Sequence, residues 1–330
     1  MSDWHMIATD RRVVALDWDG DELVSGDHRW APDGSANDPR IIRKAVFRPF
    51  DRTIAFDRFR VVYVERGTKA LLYQDDKLIR ELNRSYYHAG AFDYPVALGA
   101  LPDGRVVVVH CPDAYNVLQV EDAATGERLT AGPREPTDIF HSRLAISPDG
   151  RHLLSAGWVW HPFGVAVVYD LVGALAESSP VDGAGVARPM TEGEEEIRSA
   201  CWLDSDRLAV SAGDDDGNRP ELLGVWSLSA GGWAHLTTVD HPVGVMVPIG
   251  DRLLSLYRWP RLVDPTAGTV LAEWPDVDAG VRNSSYGQDD RPNPVVAVHP
   301  DGDRVAIRQR GGIAILRLPP LTTMGKDAPP

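Results

Sequence analysis

Two cysteines in 330 residues, Cys111 and Cys201, leave no material for a disulfide framework of the kind that staples small secreted domains. Both fall on or beside expected strands of different repeat units and read as small packing residues. No apolar run approaches the roughly 18 residues that cross a bilayer, and Met1-Ser-Asp-Trp-His5 offers no basic segment followed by an apolar one. A cytoplasmic location without membrane contact is the expectation. Positive charge is scarce, with 34 Lys and Arg against 48 Asp and Glu and a formal net charge of −14. Duplex binding draws mainly on Lys and Arg neutralising phosphates, so a nucleic-acid partner is disfavoured and a basic protein, peptide or cation fits better. The plainer reading of the acidity is solubility.

Catalytic signatures are missing too. There is no Gly-x-Ser-x-Gly elbow, no His-Glu-x-x-His pair and no Gly-rich phosphate loop. Asp214, Asp216 and Asn218 have the first spacings of a calcium loop, but Arg219 and Val225 stand where Gly and a bidentate Glu belong. No bound metal and no cofactor are expected.

What the chain does have is repetition. Ser147-Pro-Asp-Gly-Arg-His-Leu-Leu-Ser155 has degenerate copies at Pro102-Asp-Gly104, Leu203-Asp-Ser-Asp206, Ile249-Gly-Asp251, His299-Pro-Asp-Gly302 and Asp17-Trp-Asp-Gly20. Each is an alternating apolar run, a turn, and a second run rich in Val, Leu and Ile, the pattern of a hairpin. Pro presets φ, Asp bonds its own backbone and Gly takes positive φ. Between Gly20 and Gly104 two segments compete for a further copy, Pro49-Phe-Asp-Arg52 and Glu65-Arg-Gly67. The second spaces the turns more evenly, at about 47 residues, which suits seven four-stranded units. Six units follow if residues 41–82 form something else.

Third runs such as Val165–Leu171, Leu223–Leu228 and Gly312–Leu318 follow the hairpins, and fourth runs such as Ala234–Val239 and Thr269–Trp274 usually come after them. These units resemble the WD40 family of propellers. Tyr169-Asp170 and Trp226-Ser227 stand where that family often has Trp-Asp, and Asp240-His241 and Phe140-His141 lie near the place of its Gly-His. The resemblance spans nearly the whole chain. It implies an all-β, seven-bladed β-propeller of four-stranded antiparallel blades, one domain over residues 1–318, followed by a Pro-rich tail over 319–330. That tail cannot supply a last strand, so Trp4–Thr9 is expected to close the ring and remove the exposed sheet edge.

Function on such a frame should sit in loops, because strands are committed to packing between blades. The repeated turns share one face. The strand two to three loops and the connections between blades share the other, and there the residues are dissimilar and aromatic. Expected loop residues are Trp30, Tyr115, Trp158, Trp160, His161, Asp214, Asp216, Arg258 and Trp259; the connections add Tyr86, Tyr87, His88, Phe92, Phe140, Tyr286 and Asp289. Ring faces attract cations and carboxylates add Coulomb attraction, so a cationic anchor on a protein or peptide is the implied guest. The competing reading of each Trp is packing on a blade top.

Three functions compete. The first is a non-catalytic recognition or scaffold propeller. The second is a small-molecule lyase, cyclase or hydrolase, with His88, His141, His161 or His241 beside Asp138, Asp240 or Asp289 at the axial mouth. The third is an acidic immunity or inhibitor protein masking a basic effector. Histidines at such places more commonly satisfy hydrogen bonds than catalyse.

Overall fold

Pro-Asp-Gly closes hairpins as its residue types demand. At Ser147–Gly150 the Gly150 amide donates to the Ser147 carbonyl at 2.9 Å, Asp149 accepts from the Arg151 amide at 3.1 Å, and Gly150 takes a φ of 73°. A Cβ there would also collide with the Ala100 carbonyl of the neighbouring unit, so glycine is required twice over. The same turn bond recurs from Gly104 to Leu101 (2.9 Å) and from Gly302 to His299 (2.8 Å).

The computed structural model describes residues 3–26, 28–36, 50–130, 132–160, 163–176, 181–193, 195–214, 221–282, 284–286 and 293–320. The first strand, β1, is Trp4–Ala8. Blade one comprises β2 (Asp17–Asp19), β3 (Glu22–Ser25) and β4 (His28–Trp30). Blade two has β5 (Arg52–Phe56), β6 (Phe59–Tyr63), β7 (Lys69–Gln74) and β8 (Lys77–Asn83). Blade three has β9 (Val96–Ala100), β10 (Val106–His110) and β11 (Gln119–Asp122). Blade four has β12 (Leu144–Ile146), β13 (His152–Val159) and β14 (Phe163–Asp170), followed by a single-turn helix α1 (Leu171–Ala176). Blade five has β15 (Glu196–Trp202), β16 (Arg207–Gly213), β17 (Glu221–Ser227) and β18 (Gly232–Val239). Blade six has β19 (Val245–Ile249), β20 (Arg252–Tyr257), β21 (Trp259–Val263) and β22 (Val270–Glu273). Blade seven has β23 (Val296–Val298), β24 (Arg304–Gln309) and β25 (Gly312–Arg317), with β1 as its outer strand.

These are seven antiparallel sheets in a ring, an all-β propeller. First strands touch one another around it, β23 to β2, β5 to β9, β9 to β12 and β15 to β19, which places them innermost. Closure is by the N-terminal strand: β1 pairs with β25 from Trp4 opposite Leu316 to Ala8 opposite Gly312. Among the described residues, blades one, three and four have three strands each, with a single bridge in the fourth place, Trp30 to Ala36, Glu121 to Arg128 and Val168 to Ala187. In blade four, continuing that pairing would set Pro189 against Ala166, and proline has no N–H to extend a ladder.

The core lies between sheets. Leu153, Val165 and Val167 face blade three, while their neighbours Leu154, Ala166 and Val168 face blade five. Burial on both faces explains why these strands read as continuous apolar runs rather than alternating ones. Cys111 is buried in the cluster between blades three and four, and Cys201 packs against the one between blades five and six; both are free thiols.

Blade two is regular, but its first hairpin lies elsewhere than the spacing of turns predicts. Phe56 pairs with Phe59 across Asp57-Arg58, and the Glu65–Gly67 turn joins β6 to β7 instead. Asp57 takes the left-handed conformation at φ 52°. Asp tolerates that region, so this turn needs neither Pro nor Gly and leaves no mark in the sequence. Residues 37–49 and 321–330 lie outside the described residues. Among those described, no helix is long and apolar enough to cross a membrane.

Candidate recognition site

The site begins with a length mismatch. β13 runs to Val159, well past the end of its pairing with β12, so its upper part is free to pair with the incoming connection. Phe140 fills that place: its amide donates to the Trp158 carbonyl at 2.8 Å and its carbonyl accepts from the Trp158 amide at 3.1 Å. Gly157 permits this approach, since a Cβ there would collide with the Phe140 carbonyl. The two rings consequently stack at 3.8 Å and 8°, and Tyr115 stacks at 4.2 Å and 23°. A ring has two faces, so Phe140 is sandwiched between Trp158 and Tyr115. Phe92 meets Phe140 edge-on at 5.5 Å, and Tyr286, whose backbone bridges to Phe92, lies 4.6 Å from Trp158. Phe92, Phe140 and Trp158 are fully buried and form the floor.

Above the floor is an exposed layer. Tyr87 sits beside Tyr115 at 5.0 Å and nearly parallel to Phe140, at 17°. His88, at φ 51°, stands edge-on to Tyr87 at 4.5 Å and lies 5.7 Å from the Trp160 ring. Tyr86 is 83% exposed, Tyr87 53% and Trp160 59%. The Tyr115 hydroxyl donates to Asp138 at 2.5 Å, and that bond to a carboxylate pushes the hydroxyl up to about 12.

Arg84 holds the Tyr86–Ala91 loop in shape. Its buried guanidinium donates to the carbonyls of Gly67 (2.7 Å), Asp93 (3.1 Å), Phe92 (3.1 Å) and Ala89 (2.5 Å). It also lies over the Phe92 ring at 4.5 Å and the Tyr94 ring at 4.9 Å. Burial lowers its pKa to about 10, which leaves it charged at neutral pH.

Next to the aromatic layer the axial mouth is filled by ion pairs. Asp93 accepts from Arg143 Nε (3.1 Å) and Asn293 Nδ2 (3.0 Å), and lies 2.6 Å from Arg282 Nη2. Glu65 accepts from Arg52 at 3.0 Å and from Asn293 at 2.6 Å, and Arg143 donates to the Ser284 carbonyl at 2.8 Å. Arg52, Arg143 and Asn293 each stand at or just before a first strand, hence at the axis. This network was not among the sequence candidates. Its trace is a basic or amide residue at the start of inner strands, a pattern the turn-based alignment passes over.

Of the residues singled out from sequence, the structure brings together Tyr87, His88, Tyr115, Trp158, Trp160 and Tyr286, with Tyr86 beside them in the chain. It separates others. Trp30 is in strand β4 rather than a loop, is 2% exposed, and packs with Ile7, Leu16 and Leu23 between blades seven and one. The β3 to β4 connection is so short that His28-Arg29-Trp30 is already strand. Trp259 opens β21, donates its indole N–H to Glu273 at 3.0 Å and carries Arg261 over its ring at 4.2 Å. Arg258 is held by the Gly280 carbonyl at 2.5 Å. Trp158 belongs to the floor and presents no surface. Asp214 directly follows β16, where its charge adds to the burial that raises Glu221 to about 7. His161, Asp216 and Asp289 lie outside the described residues.

Two of the candidate histidines, His141 and His241, have hydrogen-bond partners of their own. His141 is 1% exposed with Nδ1 3.0 Å from Ser155 Oγ, and burial drives its imidazole down to about 3. His241 pairs with Asp240 at 3.0 Å on the connection between blades five and six. Ligand atoms of His299, Asp301 and Asp303 lie within 4.8 Å of one another in the blade-seven turn, but Arg304 enters the same turn and pairs with Asp303 and Asp21.

The fold has a solved counterpart. A chain of the crystal structure of the mitotic checkpoint complex superposes with a TM-score of 0.55 at 13% identity, covering 93% of this chain and 87% of that chain. Seven blades and that likeness show a seven-bladed propeller fold. No protein-family model matches the sequence, and no curated protein matches it.

Proposed function

We propose that the chain is a recognition propeller that binds a protein or peptide partner on the layer formed by Tyr86, Tyr87, His88, Tyr115 and Trp160. One observation carries this: Tyr87 and Trp160, each more than half exposed, stand with His88 over a buried aromatic floor, and the exposed Tyr86 is next in the chain. Exposed apolar clusters on one face mark contact surfaces. Because Arg84 and the Phe140 to Trp158 bridge already fix the loops, binding would cost little ordering entropy. The neighbour's presence in a checkpoint complex agrees with a protein partner.

Affinity capture from native lysate tests the reading, with wild type beside Tyr87→Ala/Trp160→Ala. A protein retained by wild type and lost from the folded double variant supports it. Equal retention by both overturns it.

A further inference from the structure

Asp138 is the telling residue. It is an exposed carboxylate at the rim of the aromatic layer, aligned by the Tyr115 hydroxyl at 2.5 Å, and among the described residues it pairs with no cation. Asp113, an exposed acid on the β10 to β11 loop of the same face, has one, meeting Arg128 at 2.7 Å. A purely apolar or proline-rich occupant spread over Tyr87 and Tyr115 would strip water from the Asp138 carboxylate without compensation, an unfavourable exchange. A cation would not.

The shape of the layer narrows the choice. Tyr87 and Tyr115 lie within 17° and 23° of the Phe140 plane, so they present flat faces rather than a closed cage. Flat rings suit a planar, weakly hydrated guanidinium better than a compact, strongly hydrated ammonium. The protein uses the same contact inside this loop, where Arg84 lies over Phe92 at 4.5 Å. The net charge of −14 would draw a basic partner to the protein as a whole.

We infer that the layer takes an arginine side chain of a protein partner, its guanidinium flat on Tyr87 and Tyr115 and paired with Asp138. This rests on the recognition reading and sharpens it to one anchor. The test uses the full chain with 15N-labelled tryptophan and four blocked pentapeptides of glycine carrying Arg, Lys, citrulline or Phe at the centre. The arginine peptide should shift the Trp160 indole signal at lower concentration than lysine, with citrulline and phenylalanine weaker still. Asp138→Asn should weaken the arginine peptide about threefold, the scale of one exposed ion pair, and leave the phenylalanine peptide unchanged. If citrulline or phenylalanine binds as tightly as arginine, or if Asp138→Asn leaves the arginine titration unmoved, the anchor is wrong while partner recognition on this face survives. If no peptide moves Trp160 at millimolar concentration, the anchor is likewise overturned; the capture experiment with Tyr87→Ala/Trp160→Ala separately decides the wider reading.

Discussion

Trp158 and Trp160 are two residues apart in sequence and 5.9 Å apart between ring centroids, yet one is fully buried and the other 59% exposed. The same contrast divides the cluster into a floor of Phe92, Phe140 and Trp158 and an upper layer of Tyr86, Tyr87 and Trp160. Residue type therefore says little about role here. Strand alternation alone would put both on one side, so the end of β13 at Val159 decides which indole holds the fold and which is left for a partner.

Removing a floor ring should have the largest effect. Trp158→Ala deletes a buried indole stacked on Phe140 and should cost about 3–5 kcal/mol of stability, read as a lowered urea midpoint. Any loss of partner capture in that variant would follow from unfolding or a collapsed layer. A midpoint within error of wild type would erase the distinction between floor and layer.

Arg84→Met comes next. The chain loses four carbonyl partners of one guanidinium, and the carbonyls of Gly67, Ala89, Phe92 and Asp93 need replacements from water in a buried site. A loss of about 2 kcal/mol is expected, with Tyr86 and Tyr87 losing order more than the strands do. Hydrogen exchange confined to residues 84–94 would show it. Uniform exchange around the ring would mean Arg84 stabilises the propeller without shaping the layer.

A pH scan sharpens the same comparison through His141, which follows Phe140 in the chain: the Asn116 carbonyl accepts from its ring, and Nδ1 is 3.0 Å from Ser155 Oγ. Burial depresses its folded pKa from 6.5 to about 3, so the unfolded chain binds the extra proton first. This contribution to stability is complete above about 6.5 and is lost as pH falls toward 3. The midpoint gap between wild type and His141→Gln should narrow across that window. A gap that is flat with pH would show that His141 is not held neutral.

How much of this was legible beforehand follows from the physics of each part. The ring was readable because Pro-Asp-Gly turns carry their conformation in their residue types, and because burial on both faces makes apolar strands. Blade two's hairpin was hidden by an Asp that does glycine's work at Asp57. The aromatic gathering was half readable: Tyr87, Tyr115, Trp160 and Tyr286 sit in loops whose face the topology fixes. Trp30 and Trp259 fall in strands because connections of one or two residues turn expected loop into strand, a boundary that composition does not mark. The ion network around Asp93 was unreadable, since Arg52, Arg143, Arg282 and Asn293 converge only when the ring closes.

The smallest effect on stability should belong to the upper layer, and that makes it the decisive one. Tyr87→Ala and Trp160→Ala remove side chains that water already touches, so each should change stability by no more than about 1 kcal/mol. Truncating Tyr87 exposes one edge of Tyr115, whereas truncating Trp160 leaves the Trp158 to Phe140 stack intact. If these variants keep the wild-type midpoint and lose capture, the exposed layer is spent on binding. If instead they unfold as readily as Trp158→Ala, the whole cluster is packing, and its exposure is only the unevenness of a blade top.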